Sequence, residues 1–193
     1  MPLAPHPEYE RLQTSLHGGL QGSAWKGTCY RVAEERWSRA HDLFTGEGAR
    51  RAGGRWNHPG TAAAYASLEL AAAVKEWKAQ QRRAGIPLEQ AMPAVVSSGE
   101  VELQQVLDLA DAALLRELGL ARTKLLATRW ADENAAGREG LTQAVGRAAL
   151  AAGYEALIVP SAVARARNLV LFPQALRPGS GVAVRGVTRL VEP

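Results

Sequence analysis

The sequence predicts an α+β fold, a mixed β-sheet core with flanking helices, and three observations predict it. Strand-like and helix-like segments intermix without the strand–helix–strand rhythm of a doubly wound sheet. The β-prone segments alternate or run wholly apolar between glycines and prolines, whereas the main helical one repeats at i, i+4, i+7. Of 193 residues, 47% are hydrophobic, enough for a real core at the length of one domain, or one domain with an arm.

Residues 1–25 hold three prolines by Pro7, then Gly18, Gly19 and Gly22. They are expected to form an N-terminal arm around a short helix, Glu8 to Leu16, weakly tied to the core. The domain proper is expected over 26–193. Gly27 to Val32 alternates and predicts the first strand, and Glu34 to Ala40 one or two helical turns. The run Gly46-Glu47-Gly48-Ala49-Arg50-Arg51-Ala52-Gly53-Gly54-Arg55-Trp56-Asn57 carries four glycines and three arginines. It makes a poor helix and a poor central strand, and predicts a flexible loop where backbone approaches a ligand closely.

Thr61 to Ala66 predicts a short strand ending near Tyr65. Ser67 is the expected N-cap of a helix to Arg83, stopped by Gly85 and Pro87. Leu70, Val74, Trp77 and Gln81 would form its buried stripe, with Glu76 at the edge and Ala72 and Ala73 a turn below. Met92 to Ser98 and Gly99 to Leu103 predict two strands, and Asp108 or Asp111 starts a short helix through Leu118. Glu139 to Ala152 predicts a helix closed by Gly153. Strands follow at Glu155 to Val159, Asn168 to Phe172 and Val182 to Val191.

Composition excludes several classes. No run approaches the roughly 18 apolar residues of a membrane span, and the N-terminus lacks a basic-then-apolar signal pattern. The single cysteine, Cys29, rules out an internal disulfide and a multi-cysteine zinc site. A cytoplasmic protein is expected. The net charge of +4 from 23 basic and 19 acidic residues permits an anionic ligand and falls short of a nucleic-acid-binding tail. His6, His17, His41 and His58 show no paired zinc-ligand spacing, and no metal is expected. There is no phosphate-loop or Rossmann glycine pattern, and Ser161 lacks the Gly-x-Ser-x-Gly elbow of serine hydrolases.

Taken singly, the candidate residues have ordinary readings. Arg31 suits a strand edge in water, Arg50, Arg51 and Arg55 a solvated basic loop, and Tyr65 the core. Glu76 suits an exposed flank beside Lys75 or Gln80, and Ser161 a turn. Their order along the chain is another matter. Tyr30-Arg31, the glycine–arginine run ending in Gly-Gly-Arg-Trp-Asn, Tyr65-Ala66-Ser67, Glu76, Pro160-Ser161-Ala162 and Asn168-Leu-Val-Leu-Phe-Pro follow one another over about residues 27–173. This resembles the RES-domain family, named for its arginine, glutamate and serine.

The resemblance implies a fold similar to ADP-ribosyltransferase toxins and an activity that consumes NAD⁺ by hydrolysis, phosphorolysis or transfer of ADP-ribose to a protein. It implies the toxin of a type II toxin–antitoxin system. The implied partners are NAD⁺ as substrate, an Xre-type antitoxin covering the active site, and a protein target where the acceptor is a side chain. A homodimer within the complex is one implied arrangement; nucleic acid enters only through the antitoxin, and no membrane is involved. The family's arginine falls on Arg31, its tyrosine on Tyr65, its glutamate on Glu76 and its serine on Ser161, the expected catalytic set. The expected NAD⁺-binding set is Arg31, Arg51, Arg55, Gly54, Tyr65 and Asn168.

The residue chemistry agrees. Cleavage of the nicotinamide–ribose bond passes through an oxocarbenium-like transition state that a carboxylate stabilises. The guanidinium fork suits pyrophosphate, Tyr65 offers a flat face, and the Ser161 hydroxyl can orient Glu76 or the nicotinamide amide. The alternative is a non-enzymatic RNA- or DNA-binding module built on Arg50, Arg51 and Arg55 with Arg165, Arg167 and a stacking Trp56.

Overall fold

The structure is a computed structural model that describes residues 3–18, 20 and 22–190. The strands are β1 Ser23–Glu34, β2 Ala64–Ser67, β3 Ala94–Asp108, β4 Ala156–Pro160, β5 Arg167–Leu171 and β6 Gly181–Arg189. The helices are α1 Tyr9–His17, α2 Ala40–Leu43, α3 Glu47–Ala52, α4 Leu70–Arg83, α5 Ala112–Glu117, α6 Arg122–Ala127, α7 Trp130–Ala135 and α8 Leu141–Ala151. This is the expected α+β architecture with a mixed sheet and flanking helices. Strand order is β1-β2-β5-β4-β3-β6, and β1 also pairs with β3, so the first five strands close on themselves. Among the strand pairs of the described residues only β3–β4 is parallel.

Alternation along the strands sends every second side chain to one face. Cys29, Ala66, Leu103, Ile158 and Leu169, from five different strands, meet in one buried cluster. The other face packs Leu157, Val159, Val170 and Phe172 against α1 and α8 through Leu12, Val145 and Ala148.

Several expectations are corrected. The N-terminal segment is not weakly tied: Leu12 and Leu16, one helical turn apart, are 0% and 4% exposed. Arg11 Nη1 donates to the Leu118 carbonyl at 2.7 Å, and the Ala4 carbonyl accepts from the Glu139 amide at 2.9 Å. An i, i+4 leucine pair outweighs the flanking prolines and glycines.

The two strands expected over 92–103 are a single strand, β3; the Ser98–Gly99 break is a register shift opposite β6, a bulge rather than a turn. The glycine–arginine run contains a helix, α3. Gly46 and Gly53 stand at its two ends with φ of 71° and 72°, leaving only Gly48 inside, and Glu47 pairs with Arg50 and Arg51 across one turn. Ser67 is not an N-cap but the last residue of β2; Glu69 precedes α4 with no side-chain cap. The helix is rotated from the expected stripe, since Leu70 is 48% exposed while Ala72, Ala73 and Trp77 are buried. Glu76 therefore faces inward. Helices α6 and α7 were not signalled by the sequence pattern. The expected last strand ends at Arg189, and Val191 lies outside the described residues.

Candidate active site

Pairing of β2 with β5 sets Ser67 opposite Asn168, and β5 with β4 sets Asn168 opposite Val159. The end of β4 leads into Ser161. Helix α4, which follows β2 after a two-residue link, swings Glu76 over these strand ends.

There the side chains form a directed network. Ser161 Oγ donates to Glu76 Oε1 at 2.6 Å and accepts from the backbone amides of Val163 and Ala164 at 3.1 and 3.0 Å. With both lone pairs taken, its one proton is aimed at the carboxylate. Asn168 Nδ2 donates to the same oxygen at 2.8 Å, and its Oδ1 accepts from Ser67 Oγ at 2.7 Å. That second bond fixes which end of the amide faces Glu76. Among the described residues no hydrogen bond is made to Glu76 Oε2.

Arg31 projects from β1, two residues beyond the buried Cys29. Its Nη1 donates to the Tyr65 carbonyl at 2.8 Å, and its Nε is buried with no partner among the described residues. Burial lowers the pKa of the guanidinium, with the neighbouring Cys29 thiol opposing; the same burial pushes the Cys29 thiol up to about 12. A half-buried guanidinium held by one carbonyl, with a buried donor unsatisfied, is a costly arrangement that an anion reaching it would relieve.

The Tyr65 hydroxyl donates to Asn57 Oδ1 at 2.7 Å and accepts from the Trp56 amide at 2.8 Å. Burial raises its pKa, the Trp56 amide opposing. Gly54 sits against it, where a Cβ would come 2.6 Å from the Tyr65 hydroxyl oxygen. The carbonyl of Gly54 accepts from Gln143, and its amide donates to the Asn57 carbonyl. Helix α8 presses on this segment through Gly146, where a Cβ would lie 1.9 Å from the Trp56 carbonyl oxygen.

The structure thus brings together Glu76, Ser161 and Asn168, and joins Arg31 to Tyr65 through the backbone. Arg51 and Arg55 are engaged elsewhere. Arg51 is exposed and paired with Glu47. Arg55 donates to the carbonyls of Leu125, Leu126 and Thr128, closing the C-terminal end of α6; burial lowers its pKa, with the charge of Glu76 opposing. Trp56 is 3% exposed, so it offers no stacking face for a base. Among the described residues no group of three or more His, Cys, Asp or Glu is placed to hold a metal ion, and no helix is long and apolar enough to cross a membrane.

The sequence matches the RES domain over residues 28–190. The chain belongs to the RES domain family. It is similar to the NAD(+) phosphorylase MbcT of Mycobacterium tuberculosis and of Mycobacterium bovis, each 30% identical over 159 residues that cover 80% of this chain and 78% of the relative. Its structure is similar to a chain of the crystal structure of the M. tuberculosis MbcT–MbcA toxin–antitoxin complex. There the TM-score is 0.71 at 27% identity, covering 94% of this chain and 92% of that one.

Two residues of this candidate site carry no sequence signal that singles them out. Asn57 merely closes the glycine–arginine run, yet its Nδ2 also holds the carbonyls of Ala49, His58 and Thr61. Ser67 carried the ordinary signature of a helix cap, and only the β2–β5 register reveals its bond to Asn168.

Proposed function

We propose that this protein is the toxin of a toxin–antitoxin pair and consumes NAD⁺ by phosphorolysis of its nicotinamide–ribose bond. The observation that carries it is the inward-facing Glu76, with one carboxylate oxygen fixed by Ser161 and Asn168 and the other unbonded among the described residues. The kinship with NAD(+) phosphorylase MbcT supports phosphate as the acceptor over water or a protein side chain. The likeness to MbcT in the MbcT–MbcA toxin–antitoxin complex supports an antitoxin partner; in this reading the antitoxin covers the site and the toxin acts in the cytoplasm. The activity is assigned to residues 26–193, with α1 packed against them.

In this reading Glu76 Oε2 faces the nicotinamide ribose. As the C1″–N bond breaks, its electron pair passes to the pyridinium nitrogen and neutral nicotinamide leaves. Positive charge grows on C1″ and O4″, where the carboxylate stabilises it. A phosphate oxygen then bonds C1″, giving ADP-ribose 1″-phosphate. Arg31 supplies the unsatisfied donor for the pyrophosphate, while the Tyr65 ring walls the pocket. Ser161, Asn168 and Ser67 act as positioning residues. Arg51, Arg55 and Gly54, already bonded within the protein, would have to exchange those bonds to touch NAD⁺.

The test is incubation of purified protein with NAD⁺, with and without phosphate, followed by product identification. Phosphate-dependent release of nicotinamide and ADP-ribose 1″-phosphate is expected. ADP-ribose formed regardless of phosphate would make the enzyme a hydrolase, and intact NAD⁺ would overturn the reading. In cells, expression alone should arrest growth and drain NAD⁺, and a cognate antitoxin should relieve both.

A further inference from the structure

We infer that Glu139 is a positioning residue for the NAD⁺ site, through which the N-terminal segment ahead of the matched RES region helps hold the 53–61 segment in place. This rests on the proposed function for its catalytic meaning, though its geometry stands independently. The Glu139 side chain is 1% exposed and accepts four hydrogen bonds. They come from the His6 amide at 2.8 Å, His58 Nε2 at 2.7 Å, and Arg147 Nε and Nη2 at 2.9 and 2.7 Å. These donors belong to three separate parts of the chain: the segment before α1, the residue that follows the glycine–arginine run, and α8. The Arg147 guanidinium also lies 3.2 Å from the centroid of the Tyr9 ring, so α1 is drawn into the same knot.

From His58 the connection runs to the site in short steps. Asn57 Nδ2 donates to the His58 carbonyl at 3.1 Å, and Asn57 Oδ1 receives the Tyr65 hydroxyl. The Tyr65 carbonyl in turn holds Arg31 Nη1. Loss of the Glu139 hub frees His58 and, with it, the segment that sets Tyr65 and Arg31. A buried carboxylate of this kind is usually a stability element alone, and the fold contains a control for that reading. Glu155 is 0% exposed and accepts from the amides of Gln104, Gln105 and Arg177. None of these partners bonds to the 53–61 segment.

The experiment compares full-length Glu139→Gln, His58→Ala, His58→Gln and Glu155→Gln with wild type. The readouts are KM and kcat for NAD⁺, melting temperature, and hydrogen exchange of the amides of residues 54–58. Glu139→Gln and His58→Ala are expected to raise KM about tenfold, less than the roughly 100-fold that a 1 Å misplacement can cost, and to speed exchange at 54–58. His58→Gln, which retains a donor, should recover much of the loss. Glu155→Gln should lower the melting temperature without moving KM. If Glu139→Gln does not fold, the two His58 variants decide. An unchanged KM and unchanged exchange at 54–58 in a folded Glu139→Gln or His58→Ala protein would overturn the inference. If wild type leaves NAD⁺ intact, the functional reading fails and the exchange data alone judge the hub.

Discussion

Ser161 gives its only hydroxyl proton to Glu76 Oε1 at 2.6 Å while its oxygen is occupied by the amides of Val163 and Ala164. A serine so committed has no lone pair left to attack a substrate. Its place beside the carboxylate is that of a fixed donor, and Asn168 supplies the second donor to the same oxygen. In the proposed mechanism Oε2 is the face toward the substrate, and the carboxylate's charge, rather than a proton transfer, is its contribution.

Glu76→Gln therefore tests charge with little change of shape. The amide oxygen can still accept from Ser161 and Asn168, so the melting temperature and NAD⁺ binding should stay near wild type. Turnover should fall on the order of 100-fold or more, as when one electrostatic contact to a transition state is removed. Turnover within threefold of wild type would show that Glu76 takes no part in the chemistry.

Ser67→Ala tests the positioning relay. Without the Ser67 hydroxyl, Asn168 Oδ1 loses its donor, the amide is free to turn, and Glu76 loses one of its two anchors. We expect kcat to fall about tenfold, equivalent to about 1.4 kcal/mol, with KM for NAD⁺ little changed. Ser67→Thr, which keeps a hydroxyl, should restore most of it. A rise in KM with kcat intact would place Asn168 on the substrate instead.

Arg31→Lys separates geometry from charge. The buried Nε without an acceptor suits a two-pronged grip on a pyrophosphate while Nη1 stays on the Tyr65 carbonyl. Lysine retains the charge but loses the fork and is more strongly hydrated, so its burial is less favourable. NAD⁺ consumption should drop far more than for Arg165→Lys at an exposed position, as isothermal titration and initial rates would show. Small, equal effects of the two changes would remove Arg31 from the site.

The candidate site was more legible in the sequence than the packing around it. Arg31, Tyr65, Glu76, Ser161 and Asn168 stand out as candidates because their residue types and order resemble the RES family, and because the strands near them have plain apolar patterns; the structure gathers Glu76, Ser161 and Asn168 and joins Arg31 to Tyr65. The inward turn of Glu76 was half legible: its alanine neighbours were noted, yet Leu70 was expected to be buried and is exposed. A helix over so many alanines can rotate with little change in apolar burial, so tertiary contact with β1 and β2 decides. The bonds of Arg55 to α6 were not legible, because backbone carbonyls at a helix end leave no mark in side-chain pattern. Nor was the packing of α1, since two leucines in nine residues are a weak signal until α8 is present to receive them.

Acid stability should expose the Glu139 hub. Burial on its own would raise the pKa of this carboxyl. The hydrogen bonds from His58, Arg147 and the His6 amide, with the charge of Arg147, outweigh it and hold the group at about 2, against an ordinary 4.5. A carboxyl whose pKa is lower in the folded than in the unfolded state binds fewer protons when folded. Its stabilisation is full above the unfolded value and is lost as pH falls toward the folded one. Wild type should therefore lose stability between about pH 4.5 and pH 2, partly through this group. Glu139→Gln should start less stable at neutral pH and lose less across that window. The measurement is the urea midpoint at pH steps from 7 down to 2 for both proteins. Parallel curves, offset by a constant amount through the acid range, would mean that Glu139 does not take up its proton in that interval on unfolding.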